Sequence, residues 1–328
     1  MLHVRLISPP ETTDRVLEVL HADPGVTHVT VARGCAIDPA GDLVQADVAR
    51  EAANDVIGHL KQLGVHHTGG MTLVPVETVL SDAGEKAVHE APGDPSDAVV
   101  WEELLAQTHE ESTLNSTFVA FLTIACLLAA VGVATDSPVT IVGAMVVGPE
   151  FGPLAAFSVG LVRRDWSLAR RSALALLVAF PFAMAVTLVA TLLWEQFGWI
   201  TLDGVTNAHN VDFIYEVGPS SLIVALLAGA AGMLSLVTSK SAALIGVFIS
   251  VTTVPAAGFA VVAATVGQWN VAFMSAGQLA VNLGGIVVAG VLVLFLRPRA
   301  GSDTGPFERF KRAVGMTSRV EKVTWVQK

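Results

Sequence analysis

Residues Pro138–Val162 read PVTIVGAMVVGPEFGPLAAFSVGLV, and this run decides the fold. About 20 apolar residues cross the hydrocarbon core of a bilayer, so it is long enough for one passage. Gly148, Pro149, Gly152 and Pro153 interrupt its middle, with one carboxylate, Glu150, among them. Proline removes a backbone donor and clashes with the preceding turn, so a regular helix kinks or breaks here. In lipid, freed backbone groups are tolerated only where protein or a water-filled cavity covers them. The run is therefore expected to face the inside of a membrane protein.

Composition agrees. The chain of 328 residues is 52% hydrophobic and 15% charged, with a mean hydropathy of +0.61. That is too apolar for an ordinary soluble protein. Residues 1–111 carry 6 Lys+Arg against 19 Asp+Glu, which marks an acidic soluble region ahead of the membrane region. This charge argues against nucleic acid as a partner. Cys35 and Cys126 lie far apart and suggest neither a disulfide framework nor a metal cluster. The opening MLHVRLISPPETTD lacks a long apolar core, so no signal peptide is expected.

In the N-terminal region His3–Ser8 alternates as a strand, stopped by Pro9 and Pro10. Thr12 or Thr13 is expected to cap a helix running to about Ala22. Strands follow over Val26–Ile37 and Asp42–Val48, then a helix over Glu51–Leu63 and a strand over Met71–Leu80. The order βαββαβ matches the ferredoxin-like pattern. Such a domain, residues 1–80, would bind a small effector or assemble subunits. His66 and His67 read as a solvent-exposed pair, without the convergent ligands a metal needs. Ser81–Asp97 reads as a linker rich in Pro, Gly and acids. Ala98–Ser112 reads as an amphipathic helix with Glu102, Glu103, Glu110 and Glu111 open to water.

Six apolar runs follow, at 117–134, 138–162, 172–194, 219–238, 241–266 and 271–296, each long enough to cross once. The transmembrane domain is thus placed at 113–297 and a cytoplasmic tail at 298–328. Arg163, Arg164, Arg170 and Arg171 flank the second loop, Lys240 lies in the fourth, and Arg297 and Arg299 follow the sixth run. The loop after the third run has acids and no positive residue. The positive-inside rule then predicts a cell (inner) membrane protein with both termini cytoplasmic.

The two halves, about 113–194 and 216–297, resemble each other at an offset of 103 residues. Gly143 falls on Gly246, Trp166 on Trp269, Ser172 on Ser275 and Leu176 on Leu279, and the Gly152-Pro153 break falls beside Pro255. A three-crossing unit repeated once must be inserted in opposite orientations. Inverted repeats with interrupted helices are a transporter signature, with the site where the breaks meet.

Glu150 is the leading candidate. A carboxylate at the centre of a crossing costs about 2.5–3.5 kcal/mol, so it is expected to face a cavity. In a dry site an acid favours its neutral form and can carry a proton; in a wet one it attracts a cation. Gly148, Pro149, Gly152 and Pro153 would offer freed backbone groups, and Ser250, Thr252 and Thr253 before Pro255 would offer hydroxyls from the second break. Gln278 and Asn282, one turn apart, would line the path or bond another helix. No nucleotide loop, zinc motif or nucleophile elbow is present, so neither cofactor nor enzymatic activity is expected. Small-residue faces such as Gly229 to Gly232 suggest helix association, and a homo-oligomer is expected.

The stretch LNSTFVAFLTIACLLAAVGVATDSPVTIVGAMVVGPEFGPL (Leu114–Leu154) resembles the hallmark of the domain-of-unknown-function 389 family of hydrophobic bacterial and archaeal membrane proteins. The matching positions are Ala129, Gly132, Ser137, Gly143, Ala144, Met145, Pro149 and Pro153. Glu150 departs from the apolar residue more usual there, so a charge-based mechanism would hold for a subgroup. The expectation is a transporter or channel for a small solute or ion. The alternative is a non-transporting membrane sensor or scaffold whose cytoplasmic domain binds an effector or partner protein.

Overall fold

A computed structural model describes residues 1–92, 99–199, 218–238 and 252–296. Ser250, Lys240, Arg297, Arg299, the first part of the fifth run and the tail 298–328 lie outside these residues. The chain divides into two compact units, the second being Leu104–Phe295.

The first unit holds a small sheet. Its elements are β1 (Leu2–Ser8), α1 (Pro10–Ala22), β2 (Val26–Ile37), β3 (Ala40–Val48), α2 (Arg50–Gln62), the single turn α3 (Val65–Thr68) and β4 (Gly70–Pro75). The strand order is β2-β3-β1-β4 and all pairs are antiparallel. Strand side chains alternate between faces. Leu2, Val4 and Leu6 of β1 and Val44, Ala46 and Val48 of β3 therefore share one face, where α1 supplies Val16 and Leu20 and α2 supplies Val56, Ile57 and Leu60. Each such Val, Leu or Ile side chain contributes roughly 1.5–3 kcal/mol when buried.

Three local readings change. Pro9, not a threonine, precedes α1, and Pro10 opens it; a missing N–H and a fixed φ suit that position. Thr12 and Thr13 instead turn their hydroxyls onto the Pro9 carbonyl. The linker contains a helix, α4 (Asp82–Glu90), started by Ser81, whose hydroxyl accepts from the Gly84 N–H at 3.3 Å. β4 stops at Pro75 rather than Leu80.

The second unit is helical. α5 (Trp101–Glu111) leads in, followed by α6 (Ser116–Ala134), α7 (Pro138–Val147), α8 (Phe151–Arg163), α9 (Trp166–Gln196), α10 (Pro219–Val237), α11 (Thr253–Thr265) and α12 (Trp269–Leu296). Among the described residues, α6, α9, α10 and α12 are long and apolar enough to cross a membrane, and α7 with α8 forms a pair bent by 49°. That bend is the break expected at Gly148–Pro153. The outer stripe of α9 shows lipid-like exposure of Leu177, Val178, Phe182 and Val189, whereas Ser172, Ala179, Thr187 and Thr191 are buried. Large apolar groups outward and small or polar ones inward is the pattern of a membrane-embedded protein.

α11 is buried along its length from Thr253 to Ala263, and α8 nearly so. A helix apolar on every side belongs at the centre of its unit. Gly229, read as an association face, is used within the chain: its Cα faces α12, where a Cβ would come 2.6 Å from Ile286 Cα. Helix bounds also recur. α6 and α10 have 19 residues each and start at 116 and 219; α9 and α12 start at 166 and 269.

Candidate functional site at the helix break

α7 ends at Val147, Gly148 is extended (φ −63°, ψ 125°), and α8 starts at Phe151 with Glu150 in the capping position. Pro149 has no N–H to continue α7, and Pro153 needs none in the first turn of α8. Both glycines are required by close approach. A Cβ on Gly148 would collide with the Glu150 carboxylate and stand 2.8 Å from Val254; one on Gly152 would stand 2.6 Å from Glu111 Oε2.

Glu150 is 8% exposed. Its Oε1 accepts a hydrogen bond from the hydroxyl of Thr253, the first residue of α11. Its Oε2 has no partner among the described residues. The two breaks therefore meet. Beside them runs a polar chain. Asn282 donates through Nδ2 to Thr252 Oγ1 at 3.0 Å, while its Oδ1 accepts from Gln278 Nε2 and from Ser221 Oγ, each at 3.3 Å. Gln278 Nε2 also donates to Ser221 Oγ. Gln278 Oε1 and Ser275 Oγ are buried without a partner among the described residues. Burying polar groups costs free energy unless they are bonded, so each orphaned oxygen carries a cost.

The structure thus brings Gly148, Glu150, Gly152, Thr252, Thr253, Gln278 and Asn282 into one region. Pro149 and Pro153 shape the break, and Pro255 lies buried in the first turn of α11 without a polar role. Ser250 lies outside the described residues.

Two residues escaped the sequence reading. Ser221 sits at the start of an apolar run, with nothing in the sequence tying it to Gln278. Glu111 is exposed, as expected of this face, and the unforeseen feature is that its carboxylate lies against Gly152. Desolvation, then repulsion from Glu110, raises it above the ordinary carboxylate range.

Residues 145–288 match the family model described as Domain of unknown function (DUF389), so the resemblance carried by Leu114–Leu154 is shown across the break and most of α12. A protein of Methanocaldococcus jannaschii, named as uncharacterized, is 26% identical over 187 residues, 56% of this chain and 52% of that one. The chain spans about half the length of the curated relative it matches. No solved structure matches it.

Proposed function

We propose that the chain is a membrane transporter or channel for a small solute or ion, with Glu150 as a proton or cation site. The observation that carries this reading is the buried Glu150–Thr253 contact, where the two breaks meet inside a membrane-embedded unit. An acid at such a place is expensive and a functional candidate by default.

Inverted repeats support it. The contact joins residues 103 apart, the same offset that separates the starts of α6 and α10 and of α9 and α12. Residues related by a two-fold axis touch each other only beside that axis. In this reading six crossings form two inverted halves, with α11 completing a fifth crossing as α8 completes the second. The strand order β2-β3-β1-β4 supports a ferredoxin-like domain that senses a ligand or assembles subunits. The arginines from Arg163 to Arg171 support a cytoplasmic second loop, and hence cytoplasmic termini in the cell membrane. No catalytic activity and no cofactor enter this reading.

The full chain in proteoliposomes, screened for flux of ions and small metabolites with and without a pH gradient, tests it. Flux lost in Glu150→Gln is the expected result. The tight packing of Gly148 and Val254 around Glu150 favours a second reading, a membrane sensor or scaffold. Absence of flux throughout, with effector binding in the full chain lost on mutating residues 1–80, would select it.

A further inference from the structure

We propose that Ser81, His28 and Asp47 form a nucleophile–base–orienter triad in the first unit, able to hydrolyse small activated esters through an acyl-serine. This goes beyond the transport reading and does not depend on it.

The geometry is one continuous chain of hydrogen bonds. His28 Nε2 lies 2.8 Å from Ser81 Oγ, and His28 Nδ1 lies 2.7 Å from Asp47 Oδ2. Asp47 Oδ1 takes a second bond, from His3 Nδ1 at 2.7 Å. An ionised carboxylate can only accept, so both Nδ1 atoms carry protons. In neutral His28 the bare Nε2 then accepts from the Ser81 hydroxyl. A serine nucleophile needs this order, with a base to take its proton and a carboxylate to hold the base in one tautomer. The Gly84 N–H donates to Ser81 Oγ at 3.3 Å and leaves the hydroxyl proton free for His28. No motif marks the site, because Asp47 and Ser81 stand 19 and 53 positions from His28.

The backbone aims His28 at its partners. Thr27 pairs with Asp47 and Thr30 with Gln45, so β2 holds one extra residue there. In a regular strand His28 would point away from the face that Thr27 shares with Asp47. The bulge turns it back, and His28 takes φ 51°, in the left-handed region that few non-glycine residues enter. Backbone held in such a region clusters at functional sites. His3 and Asp47 alternate with the core residues Leu2, Val4, Ala46 and Val48, so the site lies on the sheet face away from α1 and α2. His28 is exposed and Ser81 half-buried, so a substrate reaches both from water. Ser81 also caps α4, and the N–H groups of Asp82 and Ala83 follow it with no carbonyl to bond within the helix. The positive end of α4 thus stands beside the nucleophile, where negative charge would develop on a bound carbonyl.

The step balances. Ser81 Oγ attacks the ester carbonyl carbon as its proton passes to His28 Nε2. The tetrahedral oxyanion collapses, the C–O bond to the alcohol breaks, and His28 gives the proton to the leaving oxygen. Water then gives a proton to His28 and its oxygen to the acyl carbon. The bond to Ser81 Oγ breaks, the carboxylic acid leaves, and His28 returns the proton to Ser81. Asp47 keeps its charge throughout.

Asparagine caps a helix as well as serine does, yet it cannot form an acyl ester. The test uses the purified full chain in detergent, with p-nitrophenyl acetate as substrate and a fluorophosphonate as covalent probe. Wild type is expected to release p-nitrophenol faster than free imidazole at equal concentration. The probe is expected to label Ser81, located by peptide mass mapping. Ser81→Asn and His28→Gln are each expected to lower kcat by on the order of a thousandfold. Asp47 is a positioning residue that acts through His28, so Asp47→Asn should lower kcat and leave KM unchanged. Hydrolysis that persists in Ser81→Asn or in His28→Gln overturns the triad, as does a label placed elsewhere than Ser81. A wild type no faster than imidazole and not labelled overturns it too, and leaves the transport reading untouched.

Discussion

Thr253 donates its hydroxyl to Glu150, 103 positions earlier in the chain, and is the one described partner of that carboxylate's Oε1. Thr253→Val keeps the shape and removes the donor. A buried acceptor left unmet costs about 1–3 kcal/mol. The variant is expected to unfold at lower temperature in detergent, and Thr253→Ser to restore the wild-type value. Equal melting of all three would show that the bond contributes nothing.

Gly258 lies where α11 crosses α6. A Cβ there would come 2.7 Å from Ala129 Cβ and 3.1 Å from the Ala130 backbone nitrogen. The backbone cannot step aside, so Gly258→Ala is expected to destabilise by about 1–3 kcal/mol. Gly143, in α7, has nothing within 4 Å of its would-be Cβ. Gly143→Ala is expected to be neutral or to stabilise by about 0.5–1 kcal/mol. Thermal unfolding of the two variants side by side measures the contrast.

Cys35 is exposed and Cys126 buried. A membrane-impermeant maleimide is expected to label one site per chain in the folded protein, and two after denaturation. In intact cells labelling should wait for permeabilisation, because the reading places the first unit in the cytoplasm. Labelling of Cys35 from outside would reverse the topology.

Asp47 accepts from His3 Nδ1 and His28 Nδ1, both at 2.7 Å, and His28 Nε2 lies 2.8 Å from Ser81 Oγ at the start of α4. Burial pushes Asp47 up, but the two histidine bonds outweigh it and hold the carboxyl below its ordinary range. A depressed carboxyl stabilises the fold above the unfolded-state value, and the contribution disappears as pH falls through the folded one. Asp47→Asn is expected to cost about 1 kcal/mol at neutral pH. Calorimetry should show that difference shrinking to nothing in acid.

The sequence made the break, the apolar runs and the Glu150 candidate legible, because chain length and proline chemistry act locally. Helix starts 103 residues apart coincide with sparse sequence identities such as Trp166 and Trp269. Helix α4 was hidden by a stretch rich in acids and glycine, where a single serine cap outweighs composition. Glu111 and Ser221 were hidden for another reason. Their partners are set by packing between segments distant in sequence, and no periodicity encodes that. At Gly229 the small-residue face says that something packs there without saying whose helix it is, and within the chain it packs on α12.

The central helices carry a last consequence. α11, from the second half, lies against α6 of the first at Gly258, and α8, from the first half, reaches α12 through Ser158, whose hydroxyl lies 3.4 Å from the Val287 carbonyl beside Gly290. Each of these two buried helices thus packs against a segment more than 100 residues away in the chain. A chain cut between residues 200 and 217 should yield two pieces that are degraded separately yet reassemble when made together.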